Sequence, residues 1–190
     1  MAWRESERTA FETLVAEILL QRTTASAVSG AYVPFVALYP TPECVVAATS
    51  DELTELIAPL GLTKRAGYLE RCSGQILERH DGEVPQRRSD LLNLHGVGDY
   101  TARSVAVHAF GEDVAAVDAN VRRLVSRFFD TESDASAVEY IADVIVPAER
   151  SSDFLHGMLD FAAEVCTARS PNCDRCPLQR HCAFPETTDT

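Results

Sequence analysis

Apolar positions recur at intervals of three and four along most of the chain, the spacing of a single helix face. Phe11, Leu14, Val15, Ile18 and Leu19 mark the first such face. Glu17 interrupts the run Val15-Ala16-Glu17-Ile18-Leu19-Leu20, and spacing alone favours the solvent side over a lined pocket for its carboxylate. The short polar stretch Gln21-Arg22-Thr23-Thr24-Ala25 leads to a second helix expected over Val28 to Leu38 and closed by Pro40. Thr41-Pro42-Glu43 has the form of an N-cap with proline in the first turn. Ser50-Asp51-Glu52 opens a short helix ending at Pro59 to Gly61. A longer one follows from Lys64 to His80, its apolar face Tyr68, Leu69, Cys72, Ile76 and Leu77, and Asp81-Gly82 ends it.

The second half repeats the pattern. Ser89 to Leu94 reads as a short helix, His95-Gly96-Val97-Gly98 as a turn, and Asp99 to Phe110 as a helix with Ala102, Val105, Ala106 and Ala109 inside. An apolar run ends at Asp118, which has the position of an N-cap for the helix that carries Arg122, Arg123 and Arg127. Asp134 to Val146 is expected to be helical up to Pro147. Ser151-Ser152-Asp153 reads as the cap of a last helix, with Phe154, Leu155, Met158, Leu159 and Phe161 mostly in the core. No convincing alternating strand, repeat or low-complexity segment is present, so the fold class is all-α.

Composition narrows the setting. A chain of 190 residues with 46% apolar content has enough material for a core, as one compact domain or two small lobes. The first thirty residues lack a basic start followed by an apolar run, and no stretch of eighteen uncharged apolar residues occurs. A signal peptide and a membrane partner are therefore not expected, and the expected location is cytoplasmic, where thiols stay reduced.

Charge complicates this picture. The net charge is −12, which argues against a nucleic-acid partner, yet sixteen of the seventeen basic residues are arginine and Lys64 is the only lysine. An acidic, lysine-poor surface fits a protein working in concentrated salt, where the Debye length shrinks to about 3 Å at 1 M and only short contacts count. Net charge then does not decide DNA binding; the local distribution does.

Three patterns carry chemistry. Two helices joined by Gly96-Val97-Gly98 form a hairpin whose backbone N–H groups suit a phosphate oxygen, although a structural turn has the same signature. Asp118 is either a plain cap or an anion held ionised at a helix N-terminus, able to stabilise a cation or orient a water. Arg122, Arg123 and Arg127 fit a solvated basic face or partners for intramolecular acids. Cys166, Cys173, Cys176 and Cys182 are spaced C-x6-C-x2-C-x5-C in a loop too short to make a core. Four close thiolates suit a metal or an iron–sulfur cluster; spacing does not separate zinc from a 4Fe-4S cluster, and a disulfide pair is the bland alternative. Cys44 and Cys72, isolated from these, read as small buried hydrophobes.

Taken together, the helix–Gly-Val-Gly–helix, the Val117-Asp118 about twenty residues later and the terminal cysteines resemble the endonuclease III superfamily of DNA base-excision glycosylases, from about Leu14 to Cys182. The resemblance implies a two-lobed helical fold: a six-helix barrel with the hairpin over residues 22–130, and an iron–sulfur lobe built from 1–21 plus 131–190. It implies a structural 4Fe-4S cluster on Cys166, Cys173, Cys176 and Cys182, in a loop facing the phosphate backbone with Arg169 as its remaining basic contact. It implies double-stranded DNA with a mismatched or damaged base as the partner of a monomer, the target base flipped into a pocket.

Site residues carry over on the matching positions. Asp118 matches the catalytic aspartate, which stabilises positive charge developing on the sugar. Bifunctional members have a lysine two residues after the second hairpin glycine, and here that position is Tyr100, so no Schiff base is expected. Tyrosine there resembles the thymine/uracil mismatch enzymes and some adenine enzymes. Glu17 matches the pocket glutamate of both groups. Arg22 falls at the wedge position, with Gln21 beside it, and Gly96, Val97 and Gly98 are the implied phosphate contacts. Ala25 and His156 fall in the base pocket, His156 in a slot where neither group has its usual residue. Asp99 and His95 replace the usual basic residue and proline of the hairpin.

Gln21 to Ala25 and Met158-Leu159-Asp160-Phe161 look like the mismatch group, and the chain stops shortly after Cys182. The expected activity is monofunctional removal of thymine or uracil opposite guanine. The alternatives are an adenine glycosylase acting opposite guanine or 8-oxoguanine, and an iron–sulfur DNA-binding protein without catalysis.

Overall fold

A computed structural model describes residues 1–4, 8–61, 63–131 and 134–184. Among them the chain forms ten α-helices joined by turns and short 3-10 segments, with no strand, as the apolar spacing predicts. No helix is long and apolar enough to cross a membrane. The contacts group into two compact units, Met1–Phe110 and Gly111–Thr190.

The first unit is organised around α1 (Ala10–Leu20), which packs against α2 (Ala25–Leu38), α5 (Lys64–Arg79) and α7 (Asp99–Phe110). Thr9 and Glu12 close a reciprocal capping box at its start. Phe11, Leu14, Val15, Ala16, Ile18 and Leu19 are all buried, so α1 is enclosed on nearly every side. Each Leu, Ile, Val or Phe side chain of this set contributes roughly 1.5–3 kcal/mol by leaving water. That enclosure corrects the reading of Glu17: the residue is 7% exposed and its Oε2 is buried, so it lies inside the protein and not on the solvent side.

α2 starts at Ala25, three residues before its expected start, because Thr24 caps it by accepting from the Ala27 N–H at 3.3 Å. α3 (Pro42–Ala47) opens at Pro42 as expected, but Thr41 makes no side-chain cap and instead points its hydroxyl at Cys44 Sγ, 3.5 Å away. Cys44 is half-buried, whereas Cys72 is fully buried as expected. α4 (Ser50–Ile57) opens at Ser50 as expected and is capped by Thr49 through a box with Glu52. α6 (Arg88–Leu91) is shorter than expected and passes into the hairpin turn that α7 follows.

The second unit contains α8 (Ala119–Phe129), α9 (Ala135–Ile145) and α10 (Ser151–Glu164), with α8 packed against both others. Asp118 caps α8 and Asp134 caps α9. α10 lacks a side-chain cap; Ser151, expected to provide one, is buried in its first turn. The chain leaves α10 into the cysteine loop, which holds only the 3-10 turns Cys173–Arg175 and Gln179–His181 and has no buried residue in either.

Candidate DNA-processing site

The hairpin of the first unit is built on Gly96. Its φ is +83°, and a Cβ there would lie 2.8 Å from Tyr68 Cβ, so both conformation and space demand glycine. Gly98 is different: a Cβ there meets nothing within 4 Å. Space above Gly98 is thus open to a ligand, while Gly96 serves the fold. Val97 is buried, and its N–H donates to the Leu94 carbonyl at 3.1 Å, so it braces the turn from within. Gln75 supports the same turn, accepting from the His95 N–H and donating to the Asn93 carbonyl at 3.3 Å. His95 stacks edge-on against Tyr68, ring centroids 5.3 Å apart.

The end of α1 is tied to this turn. Gln21 donates its side-chain amide to the Gly96 carbonyl at 2.8 Å. Arg22 follows with φ of +56°, a left-handed conformation that costs a non-glycine residue about 1–2 kcal/mol. Beneath them Arg65, 1% exposed, donates to the Leu19 carbonyl and, at 2.9 Å, to the Leu60 carbonyl. Desolvation pulls the Arg65 pKa below its usual value. A cleft of about 840 Å³ opens here, and Gln21, Arg22, Gly96, Gly98 and Tyr100 all line it. Five expected site residues from two distant segments thus share one cavity. Glu17 and Val97 do not line it, and Ala25 begins α2 half-buried.

Asp99 also lines this cleft and is engaged on both sides: Arg88 donates to Oδ1, and Arg103 Nε lies 3.6 Å from Oδ2. The acidic replacement in the hairpin is therefore neutralised locally.

In the second unit Asp118 faces a shallow groove with Arg122 and Arg123 among its walls. Its Oδ1 accepts from the Asn120 and Val121 N–H groups at 2.8 and 2.7 Å, and Oδ2 accepts from Asn120 Nδ2 at 2.9 Å. Three donors fix the orientation of this half-buried carboxylate. Arg123 extends the network, donating to Asn120 Oδ1 at 3.1 Å and to the Cys166 and Ala162 carbonyls at 3.0 and 2.8 Å. Arg127 donates to the Thr167 and Ala168 carbonyls at 2.7 and 2.9 Å, and its guanidinium stacks over Phe184. These two arginines are neither a solvated face nor partners of acids: they hold the cysteine loop by its carbonyls. Arg122 does pair with an acid, Glu139, at 3.8 Å. No sequence signal marks a backbone carbonyl as an acceptor, so the sequence shows neither the loop-holding role of Arg123 and Arg127 nor the support that Gln75 gives the hairpin turn.

Cys166, Cys173, Cys176 and Cys182 line one small cavity, walled otherwise by apolar side chains such as Phe161, Val165 and Leu178. Desolvation, and then the neighbouring Cys176, Cys166 and Cys182, push the Cys173 thiol above its usual pKa, with Arg127 pulling the other way. Four cysteines lining one cavity with the Arg127 side chain beside them fit a thiolate-bound iron–sulfur group. Among the described residues, no three His, Cys, Asp or Glu side chains converge closely enough to ligate a single metal ion. Arg169 is exposed between the first two cysteines, and His156 lies half-buried on α10.

Comparison with known proteins shows likeness over most of the chain. The HhH-GPD superfamily base excision DNA repair protein model matches residues 15–148, and that of the iron–sulfur binding domain of endonuclease III matches 166–182. Thymine/uracil-DNA glycosylase from Methanothermobacter thermautotrophicus is 34% identical over 99% of this chain and 87% of its own. Adenine DNA glycosylase from Mycolicibacterium smegmatis is 36% identical over 97% of this chain, which spans only 64% of that protein. The solved structure of a thermostable thymine-DNA glycosylase superimposes with a TM-score of 0.92 at 33% identity, covering 97% of this chain and 87% of that one.

Proposed function

Because the chain belongs to the HhH-GPD superfamily of base excision DNA repair proteins, and is a DNA glycosylase with an iron–sulfur binding loop, we propose that it hydrolyses the N-glycosidic bond of thymine or uracil mispaired with guanine and leaves the abasic site uncut. The observation that carries this reading is Tyr100. It lines the cleft two residues after Gly98, beside Gln21 and Arg22, where bifunctional enzymes of the superfamily carry the amine. A phenol forms no Schiff base with an abasic sugar.

In this reading Asp118, oriented by its three donors, stabilises the oxocarbenium character of the departing sugar and directs water to it. Glu17, enclosed in α1, hydrogen-bonds the edge of the extruded base, with Ala25 and His156 as further pocket residues. Arg22 fills the gap left in the duplex. Gln21 and the backbone around Gly96, Val97 and Gly98 hold the phosphates, and Arg169 adds a contact from the cysteine loop. Cys166, Cys173, Cys176 and Cys182 hold a 4Fe-4S cluster, which cross-links a loop with no core of its own and supplies no catalytic step. The partner is mismatched double-stranded DNA and the protein acts as a monomer, with residues 22–130 as barrel and 1–21 plus 131–190 as cluster lobe.

A second reading, adenine excision opposite guanine or 8-oxoguanine, is supported by the similar identity to the mycobacterial enzyme and by the buried Glu17, which suits an acid for a departing purine. Duplexes carrying T·G, U·G, A·G or A·8-oxoguanine, incubated in high salt and cleaved with alkali, separate the two. Cleavage of the A-containing duplexes alone would replace the first reading with the second; binding without any cleavage would leave a DNA-binding protein. Strand scission without alkali, together with efficient borohydride trapping, would overturn the monofunctional assignment.

A further inference from the structure

Lys64 is the only lysine in a chain of net charge −12. It lines the same cleft as Arg22, Gly98 and Tyr100. Its ammonium is exposed and makes no hydrogen bond or ion pair with a described residue; Arg22 is in the same condition. Several arginines elsewhere are paired with acids: Arg103 and Arg88 with Asp99, Arg122 with Glu139, Arg150 with Asp153. The one carboxylate that lines the cleft, Asp99, is already taken by two of them, so it does not neutralise Lys64 or Arg22.

Helix stability does not explain the position either. Lys64 and Arg65 open α5, no acidic residue stands in that first turn, and Thr63 provides no side-chain cap. A cation there opposes the helix dipole. Both the uncommitted charge and its unfavourable location make sense when an anion enters the cleft.

We propose that Lys64 is a DNA-binding residue whose ammonium contacts a backbone phosphate of the duplex seated at the hairpin. The inference rests on the chain's DNA binding but not on which base it removes. It helps account for DNA binding by a protein of this net charge, because the cleft beside the hairpin holds Lys64 and Arg22 and its one lining carboxylate is already paired. An ammonium on a four-carbon stem is a compact point charge suited to a phosphate, and each such contact releases condensed counterions.

The test uses the full chain with its cluster and a duplex carrying a tetrahydrofuran abasic analogue opposite guanine, titrated by fluorescence anisotropy across a series of KCl concentrations. Lys64→Gln should lower the slope of log Kd against log salt by about 0.9, the value for one lost phosphate contact, and Lys64→Arg should restore it. The Lys64→Gln thermal midpoint should stay level or rise, because a cation leaves a helix N-terminus; a purely structural role would lower it and leave the slope alone. An unchanged slope, with wild-type binding intact, would overturn the proposal. Wild-type protein that fails to bind the duplex would overturn the DNA-binding premise instead, and the proposal with it.

Discussion

Gln21 Nε2 donates to the Gly96 carbonyl at 2.8 Å, joining the end of α1 to the hairpin across 75 residues of sequence. The bond fixes where Arg22 emerges relative to the open backbone at Gly98. Replacing Gln21 with Ala removes one neutral hydrogen bond, worth about 0.5–1.5 kcal/mol, and should lower the thermal midpoint only slightly. Activity on mismatched DNA should fall by more than that, because Arg22 loses its anchor. Parallel measurement of melting and single-turnover excision checks this, and a proportionate loss of both would refute it.

The two hairpin glycines should separate fold from function. Gly96→Ala forces a left-handed residue and a clash with Tyr68, and should destabilise by at least about 2 kcal/mol. Gly98→Ala meets open space, so its melting should match wild type while affinity for duplex DNA drops several-fold. Denaturant melts and anisotropy titrations on both variants test the pair.

Burial pushes the Cys72 thiol from near 9 up to about 12. The folded state therefore holds its proton more tightly than the unfolded chain does. Stability tied to this group is complete below about pH 8.5 and declines as pH rises toward 12. Cys72→Ala should flatten that alkaline limb, by at most a few kcal/mol, at the cost of a small cavity. Cys72 should also resist alkylation at neutral pH until the protein unfolds. Denaturant melts across pH, with mass mapping of the alkylated thiols, check both.

The legible features were those carried by a residue's own side chain or by a rule of spacing. Asp118 shows itself as a cap after an apolar run, Gly96 as a turn glycine, and the four cysteines by proximity. Glu17 was misplaced because helical periodicity assumes one solvent face, and α1 has almost none. Ser50 opens α4 as its run of acids suggests, with Thr49 forming the reciprocal box with Glu52, whereas Ser151-Ser152-Asp153, read as a cap, begins a helix that has no side-chain cap. Arg123 and Arg127 stayed illegible for a different reason. Their acceptors are backbone carbonyls about forty residues away, and a carbonyl leaves no mark in a sequence.

Arg127 leads to a prediction about the cluster loop. Its guanidinium reaches two carbonyls after Cys166, and its own carbonyl lies 3.6 Å from Cys182 Sγ, so one residue spans both ends of the loop. Arg127→Met keeps most of the apolar stem but gives up these bonds and the charge beside four thiolates. The variant should fold, because α8 is held elsewhere by Val121 and Val125, yet lose iron faster than wild type when challenged with a chelator. Decay of the visible absorbance and released iron, followed together, provide the measurement. Arg127→Lys, which restores charge but not the fork, should fall between the two. Equal iron loss in all three proteins would show that the cysteines retain the cluster without help from α8.

Asp118→Asn makes the sharpest distinction. The amide keeps an oxygen to accept from the Asn120 and Val121 N–H groups, so the cap of α8 and the melting midpoint should be nearly preserved. The negative charge is gone, and the Asn120 Nδ2 donor then faces either an amide oxygen or a competing N–H. If the carboxylate stabilises the sugar cation, excision should fall by about 100-fold or more while binding to the abasic-analogue duplex persists. Asp118→Ala should add a stability loss of about 0.5–2 kcal/mol by removing the cap. An Asp118→Asn enzyme of wild-type rate would confine Asp118 to capping and move the catalytic charge elsewhere, with Glu17 the first residue to test.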